Sequence, residues 1–170
     1  KINALYGQSK ASLNEIIDVA NSVRYEISEI DYDGYSFGYA NDSLPAINVT
    51  KIFASPSFKS SLTFNVNQNL KLYTQMSYGF KAGGVNQQPY VSTGNRFYDP
   101  EYSSSIELGF KFKTSKTFVG FSYFYNDMVD KQISISAQQN ENNPNSFYFF
   151  TSNNNGMGYS RGAEFDFKSQ

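Results

Sequence analysis

The sequence predicts an all-β chain, folded as an antiparallel up-and-down sheet of the transmembrane-barrel type. The first observation behind this is an alternation that returns in three segments. Phe58, Ser60, Leu62, Phe64 and Val66 alternate with Lys59, Ser61, Thr63 and Asn65. Leu70, Leu72, Thr74, Met76, Tyr78 and Phe80 alternate with Lys71, Tyr73, Gln75 and Ser77. Ile106, Leu108, Phe110 and Phe112 alternate with Ser105, Glu107, Gly109 and Lys111. Strand side chains point to opposite faces in turn, so each segment has one oily and one wet face, as a sheet between lipid and water requires. The second observation is that tight and long connections alternate along the chain. The third is a content of 18% aromatics without tryptophan, cysteine or histidine, which suits β-structure and interfacial aromatic girdles.

Seven strands follow in order. The first lies before a tight turn at 11–14. The second covers 16–32, where the pattern allows two readings. Ser12 and Glu15 have capping-box spacing, and Ile16, Ala20, Val23, Ile27 and Ile30 keep a helical period. A strand instead turns Ile17, Val19, Val23, Tyr25 and Ile27 to one face, and Asp18, Ser22, Arg24, Glu26 and Ser28 to the other. A long connection is expected at 33–49. The third strand ends at an Asn-rich turn, 67–69, and Pro56 near its start is expected at a bulge or outside the membrane band. The fourth, 70–80, leads into a long loop at 82–98. The fifth ends at a turn at 114–116. The sixth carries Phe118 and Phe124 on its otherwise polar face. A long connection at 136–146 precedes the seventh. Alternating connections place the tight turns at one end of the sheet and the long loops at the other. Seven strands are too few to close a bacterial outer-membrane barrel, so residues 1–170 read as one partial barrel domain.

The chain has 170 residues and a formal net charge of -1, which gives no reason to expect nucleic acid. Without cysteine or histidine there is no disulfide or thiolate site, and zinc, copper and haem ligation are poorly supported. No cofactor is expected. No apolar run is long enough for a transmembrane helix.

Several runs resemble one family. Tyr78, Gly79, Phe80, Lys81, Ala82, Gly83 and Gly84 look like a barrel strand and loop start of TonB-dependent outer-membrane receptors. Tyr98, Asp99, Pro100 and Glu101, then Glu107, Leu108 and Gly109, resemble the family's Tyr-Asp-Pro-Glu and the Glu-Leu-Gly strand after it. The stretch 124–134 is similar to the next aromatic–acidic strand. Ser160, Arg161, Gly162, Ala163 and Glu164 resemble the late-barrel Ser-Lys/Arg-Gly-x-Glu, and 4–8 and 23–26 resemble two earlier strands. The resemblance covers nearly the whole chain in order, and it favours a strand for 16–32. It implies a 22-stranded outer-membrane barrel of a Gram-negative bacterium with an N-terminal plug, importing a scarce nutrient, commonly a ferric siderophore, with energy from TonB. Neither plug nor TonB-gripping motif is visible. The expected partners are outer-membrane lipid, the protein's own plug, TonB and the chelate.

Leu62, Phe64, Leu72, Met76, Ile106, Leu108, Phe110 and Phe121 are expected to face lipid. Arg24, Glu26, Lys71, Tyr73, Gln75, Lys81, Glu107, Lys111 and Glu164 are expected to line the lumen, with Glu107 and Glu164 joining Arg24, Lys71 and Lys111 in a polar network, since unpaired buried charge is costly. In the loop 82–98, Gln87, Gln88, Tyr90 and Arg96 are candidate ligand contacts, because aromatics beside an arginine suit an anionic, partly aromatic chelate. For Phe97 and Tyr98 an interface girdle is the simpler reading, as is the outer aromatic belt for 147–150. The runs 140–145 and 153–155 read as solvated turns. The run Lys81–Ala82–Gly83–Gly84 lacks P-loop spacing and reads as a strand end where glycines allow close packing. No nucleophile or base accompanies the carboxylates, so no catalytic residue is expected. Two other readings of the chain are a soluble antiparallel domain that binds carbohydrate through aromatics, and a passive porin-type barrel.

Overall fold

The computed structural model describes residues 1–37, 43–88, 91–139 and 142–169. Seven long strands form one antiparallel sheet. They are β1 (Ile2–Ser12), β2 (Ile17–Phe37), β3 (Ser43–Asn65), β4 (Leu70–Lys81), β7 (Glu101–Lys113), β8 (Thr117–Gln138) and β9 (Phe147–Ser169), each beside its neighbours in that order. Two short strands, β5 (Gly84–Val85) and β6 (Phe97–Tyr98), pair with each other inside the β4–β7 connection, with a 3-10 turn at Thr93–Asn95.

Residues 17–37 are strand, so the helical spacing of 16–30 is coincidental. Ser12 does not cap a helix: its hydroxyl donates to Asp18 Oδ1 across the first hairpin at 2.5 Å. The tight turns are closed by side-chain acceptors. Asn14 Oδ1 accepts from the amides of Ile16 and Ile17, Asn67 Oδ1 from Asn69 and Leu70, and Thr114 Oγ1 from Lys116 and Thr117. These are Asx- and ST-turns, local hydrogen bonds that compete with strand and reverse the chain. The first turn falls two residues later than expected, because Ala11 and Ser12 still pair with Val19 and Asp18.

The turns also step along the sheet. Ile17 lies level with Phe64, the next turn closes below the Asn65–Lys71 pair, and the third closes below Lys113–Phe118. Such a stagger is what tilted strands of a barrel produce.

The other ends differ in part from expectation. The connection expected at 33–49 is mostly strand among its described residues, because cross-strand pairing continues past the loop-forming residues, whereas the one expected at 136–146 is present and starts at 139. Gly34 and Ser36 stay paired across a register shift, and β8 runs on to Gln138. Residues 38–42 lie outside the described part. The run 153–155 is not a turn but part of β9, beside a register irregularity between Val129 and Lys131, where Asp130 has φ of 55°. Of the run 140–145, residues 140 and 141 lie outside the described part, and Asn143 closes a turn by accepting from the Asn145 amide. Pro56 is at no bulge. It pairs with Tyr25 of β2, and the β3–β4 ladder starts only at Phe58–Tyr78, so beside β4 the strand is an edge where a missing N–H is tolerated.

Almost nothing is buried in the sheet. Among the described residues the buried hydrophobics are Phe53 and Val91, and both lie at the long-loop end.

Candidate functional site

Register assigns every strand position to a face. One row runs Val19, Leu62, Thr74, Leu108, Tyr123, Ala163, and the next runs Ile17, Phe64, Leu72, Phe110, Phe121, Phe165. Met76 and Ile106 share that face, paired with each other. All eight residues expected toward lipid therefore lie on one side. Phe58, Tyr78 and Tyr102 stack in sequence along it, with ring centroids 5.6 and 6.2 Å apart, and Tyr125 stacks on Tyr159 at 6.0 Å. These stacks lie toward the long-loop end, and toward the tight turns Phe110 stacks on Phe121 at 5.9 Å in the row that also holds Phe64 and Phe165.

The opposite face holds Arg24, Glu26, Lys71, Tyr73, Gln75, Lys81, Glu107, Lys111 and Glu164. Its best-ordered part is around Glu107. The Tyr73 hydroxyl donates to Oε1 and the Gln75 amide to Oε2, both at 2.7 Å. Within this section of wall Arg24, Lys71, Lys111, Glu107 and Glu164 make no ion pair with one another. Arg24 pairs with its own strand neighbour Glu26, the one ion pair among the described residues. Glu107 and Glu164 are in different rows, and Lys71 faces Lys111. Neutral donors satisfy Glu107 instead of the lysines: Gln75 directly opposite it and Tyr73 one row away. The two phenylalanines on this face are also explained: Phe124 lies over Gly162 of β9, where a Cβ would come within 2.8 Å of its ring, and Phe118 stands between Lys113 and Lys168.

At the long-loop end, residues 82–88 and 91–98 fold back onto the sheet. Gly83 and Gly84 are buried against Phe53 and Tyr98; a Cβ on Gly83 would meet the Phe53 ring at 2.7 Å, so a side chain there would displace it. Lys51 places its Nζ 5.0 Å from the centroid of the Phe97 ring. Four polar side chains fasten the loop by bonding to backbone. Arg96 donates to the carbonyls of Asn86, Gln88 and Val91 at 2.8–3.0 Å. The Asn86 carboxamide donates to Thr151 O at 2.7 Å and accepts from Thr151 N at 2.8 Å, as a neighbouring strand would. Gln132 donates to Ala82 O and Asp99 O at 2.9 and 3.1 Å. Asn153 accepts from the Asp99 amide and donates to the carbonyls of Asp99 and Asp130.

This changes one candidate. Arg96 is only 8% exposed, and its guanidinium is committed to three carbonyls, so it shapes the loop rather than offering charge at the surface. Gln87 and Gln88 are exposed on the turn that Arg96 holds. Tyr90 lies outside the described residues. The anchors Asn86, Gln132 and Asn153 carried no signal in the sequence, where they look like ordinary loop amides. Among the described residues no three His, Cys, Asp or Glu side chains converge as a metal site.

The family model for the TonB dependent receptor-like β-barrel matches residues 1–170. No curated protein matches the sequence. The fold is similar to several solved structures. One is the ferric yersiniabactin uptake receptor FyuA from Yersinia pestis, with a TM-score of 0.81 and 19% identity, over 99% of this chain and 24% of that one. Another is the copper transporter OprC, with 0.77 and 13%, over 99% and 26%. A third is a double mutant of the Serratia marcescens hemophore receptor HasR in complex with its hemophore HasA and heme, with 0.72 and 12%, over 98% and 31%. The chain thus spans about a quarter to a third of the length of these structures. It belongs to the family of TonB-dependent receptor β-barrels, of whose wall it forms a seven-stranded section.

Proposed function

We propose that this chain is wall and outer loops of an outer-membrane receptor that imports a ferric siderophore, energised through TonB. The observation that carries this reading is the division of the sheet into an apolar and a polar face, maintained from β2 to β8 by the register. Hydrocarbon covers the face of Leu62, Leu72 and Leu108. The face of Tyr73, Gln75 and Glu107 lines the lumen, against a plug. The tight turns then face the periplasm and the long connections the exterior. The loop 82–98 presents Gln87 and Gln88 to the arriving chelate, with Arg96 as the positioning residue beneath them. No bond in the cargo is made or broken, so the protein is a transporter and not an enzyme.

Similar folds serve ferric yersiniabactin uptake, copper transport and hemophore binding, and this supports a scarce metal or metal chelate as cargo. The chelate is the member of that group best served by exposed amide donors and acceptors such as Gln87 and Gln88, beside backbone that Arg96 fastens. The test is growth of a strain deleted for the full-length gene on a panel of single iron sources, with heme and cobalamin as comparators. Loss of growth on one ferric siderophore, restored by the gene, is the expected result. Unchanged growth on every ferric siderophore would remove the cargo assignment.

A further inference from the structure

The polar face carries an arrangement that its own residues do not balance. Lys71 of β4 and Lys111 of β7 are directly opposite each other. Like charges directly opposite on neighbouring strands destabilise the pair. With Lys10 from β1 they line one cavity of about 470 Å³, which also holds Asp18, Tyr73 and Glu107. Asp18 lies within the field of Lys10 and Lys71, yet neither carboxylate makes an ion pair with a lysine. Asp18 accepts from Ser12 and from Asn65, at 2.5 and 3.0 Å, and Glu107 accepts from Tyr73 and Gln75. None of the three ammonium groups is within ion-pair distance of a carboxylate among the described residues. Lys111 lies over the Tyr73 ring, its Nζ 5.2 Å from the centroid.

We infer that Lys10, Lys71 and Lys111 form a cradle for a group bearing several carboxylates, near the tight-turn end of the lumen. Three cations against two occupied acids leave an excess of positive charge in a concave site, and a multiply charged anion is the group that would offset the Lys71–Lys111 repulsion. The inference rests on the reading of this face as lumen-lining. The anion has two sources with the same chemistry: an acidic solute in transit, or acidic side chains of a protein segment occupying the barrel.

The experiment uses the full-length receptor in detergent, with citrate as probe, and compares wild type with Lys71→Gln/Lys111→Gln and Lys71→Arg/Lys111→Arg. A free-solute source gives calorimetric citrate binding that weakens about tenfold or more in the glutamine pair and persists in the arginine pair. An internal source gives no citrate binding. Hydrogen exchange of the lumen-filling segment then rises in the glutamine pair and returns to normal in the arginine pair. Absence of citrate binding together with unchanged exchange would overturn the cradle, and so would citrate binding indifferent to the glutamine pair. A separate measurement isolates the underlying reading. In lipid vesicles a membrane-impermeant maleimide should label Lys71→Cys and spare Leu72→Cys, and the reverse pattern would remove the lumen assignment itself.

Discussion

Leu108→Arg tests the assignment of faces most directly. Leu108 is 53% exposed in this section of wall and shares a row with Leu62 and Tyr123. It lies about six residues before the Thr114 turn; at about 3.3 Å per residue and a tilt of about 40° this places it roughly 15 Å above the turn. An apolar band about 25 Å tall has its midplane near that height, where an arginine on the lipid face costs about 2–4 kcal/mol. The control is Ser105→Arg on the same strand. Ser105 is on the polar face between Ser77 and Asn126, so its arginine reaches water and should change stability by less than about 1 kcal/mol. The assay is reversible urea unfolding of the full-length receptor in lipid vesicles, with wild type and both variants compared at matched lipid. A silent Leu108→Arg beside a strongly destabilised Ser105→Arg would mean that the faces are inverted. Equal losses of about 3 kcal/mol in both would point to a second protein layer over the sheet.

The loop makes further predictions. Arg96→Met removes three donors and leaves the carbonyls of Asn86, Gln88 and Val91 to find water; because the loop lies at the surface, the loss should be about 2–3 kcal/mol of local stability, read as faster amide exchange across 84–98 with the wall unchanged. Gln132→Leu cuts the bonds to Ala82 and Asp99 and should loosen the same loop by about 1–2 kcal/mol, measured by limited proteolysis between Gly84 and Tyr98. Gly162→Ala brings a methyl within 2.8 Å of the Phe124 ring and should cost about 1–3 kcal/mol through overpacking; the double variant with Phe124→Leu should recover most of it.

The wall was legible because its determinants are local. Alternation alone located the fourth strand at 70–80, and β4 is Leu70–Lys81; Asn67 announced its turn by the chemistry of a side chain two and three residues from the amides it accepts. The mouth was not legible for the opposite reason. Asn86 and Thr151 are 65 residues apart, and no period or spacing relates a loop amide to a strand backbone at that distance. Arg96 shows the same limit. Beside Phe97 and Tyr98 it reads as a surface cation, and only the folded loop, by directing three carbonyls inward, reveals its guanidinium as a substitute for missing backbone donors. The outer extensions of β2 and β8 were missed because Gly34 and the polar run near 136 look like loop formers, while pairing with a neighbouring strand overrides that weak preference.

These two kinds of order imply two different solvents. Leu62, Leu72 and Leu108 lie on one face of the sheet, 43, 44 and 53% exposed in this section of wall, while Asn86 and Arg96 are buried. Burial at the mouth thus joins the polar Asn86 and Arg96 to the apolar Phe53 and Val91, and the wall shows a continuous apolar surface on one face. A carbohydrate-binding domain would need the reverse, a covered apolar layer beneath a small exposed aromatic platform. In the wall the backbone groups meet in ladders from β1 to β9, the condition for a sheet in hydrocarbon, where an unpaired amide has no water to turn to. At the mouth the backbone is irregular, and its carbonyls and amides are met by Asn86, Arg96, Gln132 and Asn153, as irregular backbone requires wherever it leaves bulk water. The loop can therefore hold its shape by internal hydrogen bonds, whereas the wall depends on what surrounds it. The sorting of apolar and polar residues between the two faces, kept by the register across neighbouring strands, is what a membrane wall needs here, more than any number of strands.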